Sequence, residues 1–487
     1  MTTVVTRMIG FIMTPIYTRS LSNPAVYGVF TNLYAYAALI NAVLAFGMET
    51  TFFRYLNRVE NSDKARVYNN SFLITVLSSI IFVTTIYIFS DPIGAWLASN
   101  SSSSTAAEYT LFVKYFGVIL AADALAVVPF AKLRAEGRPL RYSFIKLINI
   151  FILIGANLFF LFGLPNWVEG SLFWQQFAEG WFVQGWIGYV FLANLIASIS
   201  TLILLTPQIF QFRFEFDRLM MKQMLNYSFP ILIANISFII NEHLDKMMFP
   251  SLMPGNIGED ELGVYGAVAK LAIFLNLFVT AFRLGVEPFF FSHAKEKNAG
   301  KTYALIMDYF IIIMVMVMVG ICANMDWLKY FISGKDDQID AYWSGLFIIP
   351  ILLLNNVLLG IYMNLSVWYK LSDQTRYALY ISGIGALITI VLNLLFIPAY
   401  SYLGACLSTT VAYIIMVGLS YFWGQRNYPI PYHTHKNIAY ILLGIMASGL
   451  IFYVFDTNVW ISNAILILLL FGVVLREKND VLKFLKK

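Results

Sequence analysis

The stretch GVYGAVAKLAIFLNLFVTAF, residues 263–282, carries one charge, Lys270, among twenty otherwise almost wholly apolar positions. At 1.5 Å per residue it makes about 30 Å of helix, the thickness of a bilayer's hydrocarbon, where every backbone group must be satisfied internally. It reads as a membrane-crossing helix, and its lysine needs an explanation.

Runs of the same kind recur along all 487 residues. The chain is 59% hydrophobic and 12% charged with mean hydropathy +0.72, about half the charge of a soluble globular chain. The ten-residue alternation of a β-barrel is absent from the sequence. The fold expected is all-α and polytopic, with about fourteen transmembrane helices at 4–18, 30–48, 71–90, 110–130, 142–163, 185–206, 222–241, 263–282, 303–324, 344–368, 377–398, 402–424, 437–455 and 457–475.

Lys and Arg collect in cytoplasmic loops, which tests this count. With these spans, one set of alternate loops and the tail holds twenty-four of the 32 basic residues, among them Arg54, Arg134, Arg283 and Arg376. The other set holds only Arg19, Lys246, Lys329 and Lys335. Both termini are therefore expected in the cytoplasm, and the net charge of +5 reports orientation rather than a nucleic-acid partner. Cys322 and Cys406 both fall in apolar spans, which leaves no disulfide framework. The first span ends in TPIYTRS without the small-residue pattern of a cleaved signal peptide.

The chain echoes itself. Tyr27-Gly28, Gly47, Glu49 and Phe52 reappear as Tyr265-Gly266, Gly285, Glu287 and Phe290, all 238 positions later. Arg141-Tyr142 and Asn157 return as Arg376-Tyr377 and Asn393 at offsets of 235 and 236. Duplication implies two six-helix lobes, 1–206 and 207–424, followed by a helix pair and tail, 425–487. Six is even, so the lobes are parallel, an architecture of secondary transporters with substrate held between lobes. Residues 164–184 have no counterpart and form an outside insertion. Its Trp167, Trp174 and Trp181 recur every seven residues with Phe173 and Phe177 beside them, as in an amphipathic helix lying in the membrane interface.

Four basic residues fall inside spans: Arg7, Lys114, Lys146 and Lys270. Each costs on the order of 2.5–3.5 kcal/mol at a helix centre, so it faces a polar interior or snorkels to the interface. Lys114 and Lys146 lie near span ends, within snorkelling reach. Asn149 and Asn157 share the face of Lys146 and suggest a polar cavity lining, and Thr3, Thr14 and Thr18 accompany Arg7. Lys270 is roughly 10 Å below its outer end, too deep to snorkel comfortably.

The central acid is Asp123, a candidate coupling residue or ion-pair partner; Asp308 lies near a cytoplasmic end. Four bases against one central acid favour an anionic substrate such as a pyrophosphate, bound by charge-assisted hydrogen bonds. Neither metal nor cofactor is expected, since His433 and His435 stand without clustered ligands. Glu242 and Lys246, Glu49 and Arg54, and Glu287 and Arg283 read as ordinary surface pairs.

PIYTRSLSNPAVYGVF (15–30), AFGMETTFFRYL (45–56), KLRAEGRPLRYSFIKLINI (132–150) and YGAVAKLAIFLNLFVTAFRLGVEPFFFSHAK (265–295) resemble the polysaccharide-biosynthesis flippases, the O-antigen flippase type within the multidrug/oligosaccharidyl-lipid/polysaccharide exporter superfamily. The resemblance implies transfer of an undecaprenyl-pyrophosphate-linked oligosaccharide across the bacterial inner membrane by alternating access. It places Arg7, Lys114, Lys146 and Lys270 in a cationic cavity and allows coupling to H+ or Na+; a monomer suffices. It also implies residues ahead of Met1, consistent with a first span shorter than the roughly 20-residue norm. The rival readings are a multidrug or small-solute antiporter working through Asp123 and a membrane glycan polymerase or acyltransferase. The last is disfavoured by outside loops that lack clustered His, Asp and Arg.

Overall fold

The computed structural model describes residues 10–60, 63–101, 103–253, 255–293, 296, 298–372 and 374–485. Among them no strand occurs, and twelve helices are long and apolar enough to cross a membrane. They are α1 (Pro24–Leu56), α2 (Lys64–Ser99), α3 (Ala106–Ala135), α4 (Pro139–Gly170), α5 (Gly188–Ile209), α6 (Arg218–Leu252), α7 (Ile257–His293), α8 (Ala299–Ala323), α9 (Asp336–Leu371), α10 (Arg376–Asn427), α11 (Thr434–Tyr453) and α12 (Val459–Lys478).

Local chemistry sets several boundaries. The Asn23 side chain accepts the Val26 N–H at 2.9 Å with Pro24 at the first helical position, which starts α1. Thr105 and Glu108 form a capping box at the head of α3. Left-handed Phe46 and Gly47 divide α1 into Pro24–Ala45 and Met48–Leu56.

The expected fourteen spans meet twelve helices for two visible reasons. The spans 377–398 and 402–424 are one element, α10, interrupted at Ser401, where φ is 53° and ψ is −135°. Most of 4–18 lies outside the described residues, which show only a short helix, Thr14–Ser20, at its end. Helices also overrun their predicted spans: α6 reaches Leu252 and α7 begins at Ile257. Beyond the hydrocarbon a helix needs no apolar side chains, so hydropathy marks the crossing and not the helix end.

The insertion differs from a single amphipathic helix. α4 continues through a π-helical turn, Phe159–Gly163, to Gly170; the chain extends at Ser171 and a second short helix, Leu172–Ala178, follows. Its aromatic rings pack edge to face, with Trp174–Phe177 and Phe177–Trp181 centroids 5.6 and 5.7 Å apart.

The chain forms two compact units. The first runs to Gly266 and includes Thr389–Ser401; the second comprises Ala267–Ile388 and Tyr402–Lys487. In the first, α3 packs on α2 and α5, α5 on α4, and α6 on the first half of α1. Asn32 Nδ2 donates to the Lys246 carbonyl at 2.8 Å, and Thr389 Oγ1 to Asn241 Oδ1 at 3.0 Å. A buried cluster of Met48, Phe52, Tyr68, Phe72, Val128 and Met224 closes its basic end.

One echoed glycine, Gly28, gains a meaning here. An added Cβ on Gly28 would lie 2.2 Å from the Glu259 carbonyl oxygen, and one on Gly263 would lie 1.8 Å from that of Pro24. The first turns of α1 and α7 therefore cross backbone to backbone, as small residues permit between membrane helices. In the second unit α8 packs on α9, α11 and α12, with Met307, Met314 and Met318 buried.

Candidate polar sites in the helix bundle

Within the first unit, α5 presents Asn194, Ser198 and Thr201 at i, i+4 and i+7, one helix face. Asn194 Nδ2 donates to Tyr34 Oη at 2.9 Å, Ser198 Oγ to Asp123 Oδ1 at 3.0 Å, and Thr201 Oγ1 accepts from Asn149 Nδ2 at 2.9 Å. The stripe ties α1, α3 and α4 together with hydrogen bonds in place of bare packing, satisfying groups that hydrocarbon cannot.

Lys146 belongs to this seam. Its Nζ sits 4.4 Å above the Phe130 ring and interacts electrostatically with Asp123. The structure thus brings together Lys146, Asp123 and Asn149. Asn157 is fully buried, with Nδ2 donating to the Leu153 carbonyl of its own helix at 2.8 Å. Lys114 is half-buried on α3, with no ion-pair partner among the described residues. Arg7 lies outside the described residues.

In the second unit Lys270 is half-buried on α7. Further along, Asn276 Nδ2 donates to Asn356 Oδ1 of α9 at 3.1 Å, and Asn356 Nδ2 donates to the Leu352 carbonyl at 2.9 Å.

The balance of four bases against one acid changes, because the overrunning helices bury further carboxylates. Asp245, 3% exposed on α6, meets Lys246 Nζ at 3.0 Å and accepts the Tyr265 hydroxyl. Lys246 is therefore a helix residue paired with its neighbour; toward Glu242 it donates to the backbone carbonyl, at 3.4 Å, and its Nζ lies 4.9 Å from the centre of the Tyr265 ring. Glu259, 2% exposed, accepts from Ser103 N–H at 3.1 Å and Ser103 Oγ at 2.7 Å. Each of these acids is neutralised or hydrogen-bonded locally.

Asp308 is likewise buried, with His433 Nδ1 at 2.7 Å and Lys436 at 3.7 Å; Lys436 reaches Glu477 at 2.6 Å. The hydrogen-bonding contact of His433 with Asp308, together with Lys436, thus links α8 to α11 and, through Glu477, to α12. Glu49 pairs with Arg134 at 2.6 Å instead of Arg54, whose guanidinium lies over the Tyr227 ring. Among the described residues no group of His, Cys, Asp and Glu gathers as a metal site.

The stripe on α5 was open to sequence reading, since Asn194, Ser198 and Thr201 repeat at helical spacing within one span. The burial of Asp245 and Glu259 had no such signal.

Comparison with known proteins bears on this arrangement. The family described as polysaccharide biosynthesis protein matches residues 1–292. Among solved structures, the lipid II flippase MurJ in an inward closed conformation aligns with a TM-score of 0.75 at 15% identity, covering 99% of this chain and 98% of that one. A multidrug resistance MATE family transporter of the MOP superfamily, inward-facing, aligns with a TM-score of 0.62 at 15% identity over 88% and 94%. The MATE transporter VcmN of Vibrio cholerae gives 0.62 at 14% over 87% and 93%. No curated protein matches by sequence. At these identities the shared feature is the fold alone, an all-helical multi-pass membrane fold.

Proposed function

From the premise that the chain belongs to the polysaccharide biosynthesis protein family, we propose that it is a flippase for an undecaprenyl-pyrophosphate-linked oligosaccharide. The glycan crosses the bacterial inner membrane toward the periplasm while the lipid tail stays in the bilayer. The observation that carries this reading is the family match joined to a fold shared along its whole length with a lipid flippase. In this reading the sequence-defined lobes, 1–206 and 207–424, alternate in access, and residues 425–487 form an accessory helix pair and tail. Both termini lie in the cytoplasm.

The pyrophosphate is held by intramembrane cations, Lys270 and Lys146 foremost, with Lys114 and Arg7 contributing. Ammonium and guanidinium groups bind phosphate oxygens strongly where water is scarce. Movement is coupled to H+ or Na+, and one chain suffices.

The test is leaflet protection of a fluorescent undecaprenyl-pyrophosphate oligosaccharide in proteoliposomes. Wild-type protein is expected to expose the glycan to an outside reagent and Lys270→Gln to do so much more slowly. Equal rates would remove Lys270 from the site, and no movement by wild type would sink the reading. A second reading, a cation-coupled drug or small-solute antiporter, draws on the MATE fold and on Asp123, held by Ser198. It requires that Asp123→Asn abolish efflux of such a solute.

A further inference from the structure

The polar seam leaves a large feature of the first unit unused. Between α1, α2 and α3 lies a void of ≈ 130 Å³ walled by Leu33 and Ala37 of α1, Phe82 and Ile86 of α2, and Phe116 and Leu120 of α3. No charged residue is among its lining residues. Its size is close to the roughly 150 Å³ of an engineered apolar cavity that stays dry and takes up benzene. Left unfilled, such a void costs packing energy between helices, and hydrocarbon is the filling its walls select.

The void opens on the lipid side. Ile81, Ile88 and Trp96 of α2 are 66%, 66% and 51% exposed, and their spacing puts them within one helix face, which makes that face lipid-facing. Trp96 also lines the void, so the slot is continuous with the surface that bilayer chains already cover. Along α2 the lining runs from Phe82 to Leu97, and along α3 from Val113 to Leu120. These stretches measure about 22 and 10 Å of helix, the depth of about one leaflet within roughly 30 Å of hydrocarbon.

The mouth lies at the end of α2 away from Lys64 and Arg66. There the Tyr36 and Trp96 rings meet edge to face with centroids 6.1 Å apart, and Tyr36 Oη donates to the Met247 carbonyl at 3.2 Å. A Trp–Tyr rim is what the headgroup level of a bilayer favours. Beyond the rim the same two side chains line a polar recess with Asn32, Asn100 and Glu259, and no Lys or Arg is among its lining residues. A rim with a carboxylate and no cation is a poor partner for a pyrophosphate, which points away from the polyprenyl substrate and toward an ordinary phospholipid.

We propose that the α1–α2–α3 slot is a lipid site that holds one acyl chain of a bilayer phospholipid from the leaflet on the Trp96 side. The chain enters past Trp96 and completes the packing between α1 and the α2–α3 pair. The site stands whether or not the protein is a flippase.

The test is native mass spectrometry of the purified full-length protein after exhaustive exchange into lipid-free detergent. Wild type is expected to keep a single phospholipid. Ala37→Phe and Val113→Phe, which fill the slot from α1 and α3, are each expected to lower the retained fraction roughly tenfold. Leu443→Phe, exposed on α11, should leave it unchanged. Because they fill a void, both slot variants should unfold no earlier than wild type on heating.

A second arm decides if either variant unfolds early. In detergent, one equivalent of a phospholipid brominated along its chain should quench the fluorescence that Trp96 contributes, read as the difference between wild type and Trp96→Phe. Wild type that retains no lipid, stable slot variants that retain it as wild type does, or an unquenched Trp96 overturns the site. Undecaprenyl phosphate that displaces the phospholipid at one equivalent overturns the choice of occupant and gives the slot to an isoprenoid chain.

Discussion

Replacing Lys146 by methionine is the most informative single perturbation of the α3–α4–α5 seam. Methionine keeps the length and apolar stem of the lysine and removes its charge. Asp123 would keep the Ser198 hydrogen bond at 3.0 Å but lose the ammonium that attracts it. The two do not meet within the 4.0 Å of an ion pair; at an effective dielectric near 20 unit charges attract by about 4 kcal/mol at that limit and by less beyond it. Part of the cation's stabilisation comes from the Phe130 face at 4.4 Å, about 0.5–2 kcal/mol for such contacts.

The single variants Lys146→Met and Asp123→Asn should therefore each lower stability, while the double variant should recover about 2 kcal/mol relative to their sum. The assay is equilibrium unfolding in mixed detergent and sodium dodecyl sulfate micelles for all four proteins of the cycle. Single effects that add within about 0.5 kcal/mol would refute the coupling. Asp123 would then be held by Ser198 alone and Lys146 would be available wholly to substrate.

Two further outcomes follow from packing and pairing. Gly263→Ala places a Cβ 1.8 Å from the Pro24 carbonyl oxygen and should cost about 1–3 kcal/mol of stability by overpacking, whereas Gly285→Ala, which meets nothing within 4 Å, should be neutral or gain up to about 1 kcal/mol from helix propensity; the same unfolding assay compares them. Lys436→Met strips a partner from both Asp308 and Glu477 and should cost up to about 3–5 kcal/mol, as when one member of a buried pair is removed. Adding Asp308→Asn should return part of that loss; a double variant no more stable than Lys436→Met would show that the pair is not what holds α8 to α11.

Much of the protein was legible in the chain because membrane insertion judges each segment by itself. The hydrocarbon penalises every unpaired backbone group and every charge in the crossing stretch, so 263–282 declares a helix without reference to its neighbours. The 238-residue echo of Tyr-Gly, Gly and Glu is likewise a pattern of the chain itself, read without reference to any neighbour. The close approach of Gly28, with Gly263 opposite it, to facing carbonyls was not written there, because it belongs to a crossing between α1 and α7 that no local pattern describes.

Side-chain partnership was the part that only tertiary structure decided. Glu49 has Arg54 five residues away and yet pairs with Arg134 on α3, because helix register, not sequence distance, sets which charges meet. Asp245, Lys246 and Glu259 looked like loop residues because hydropathy ends where hydrocarbon ends. The helices continue past that level, and packing buries their polar turns against Tyr265, Ser103 and Tyr109. Arg283 read as one more positive loop charge; helix register places it instead among Met363, Asn364 and Lys370 of α9.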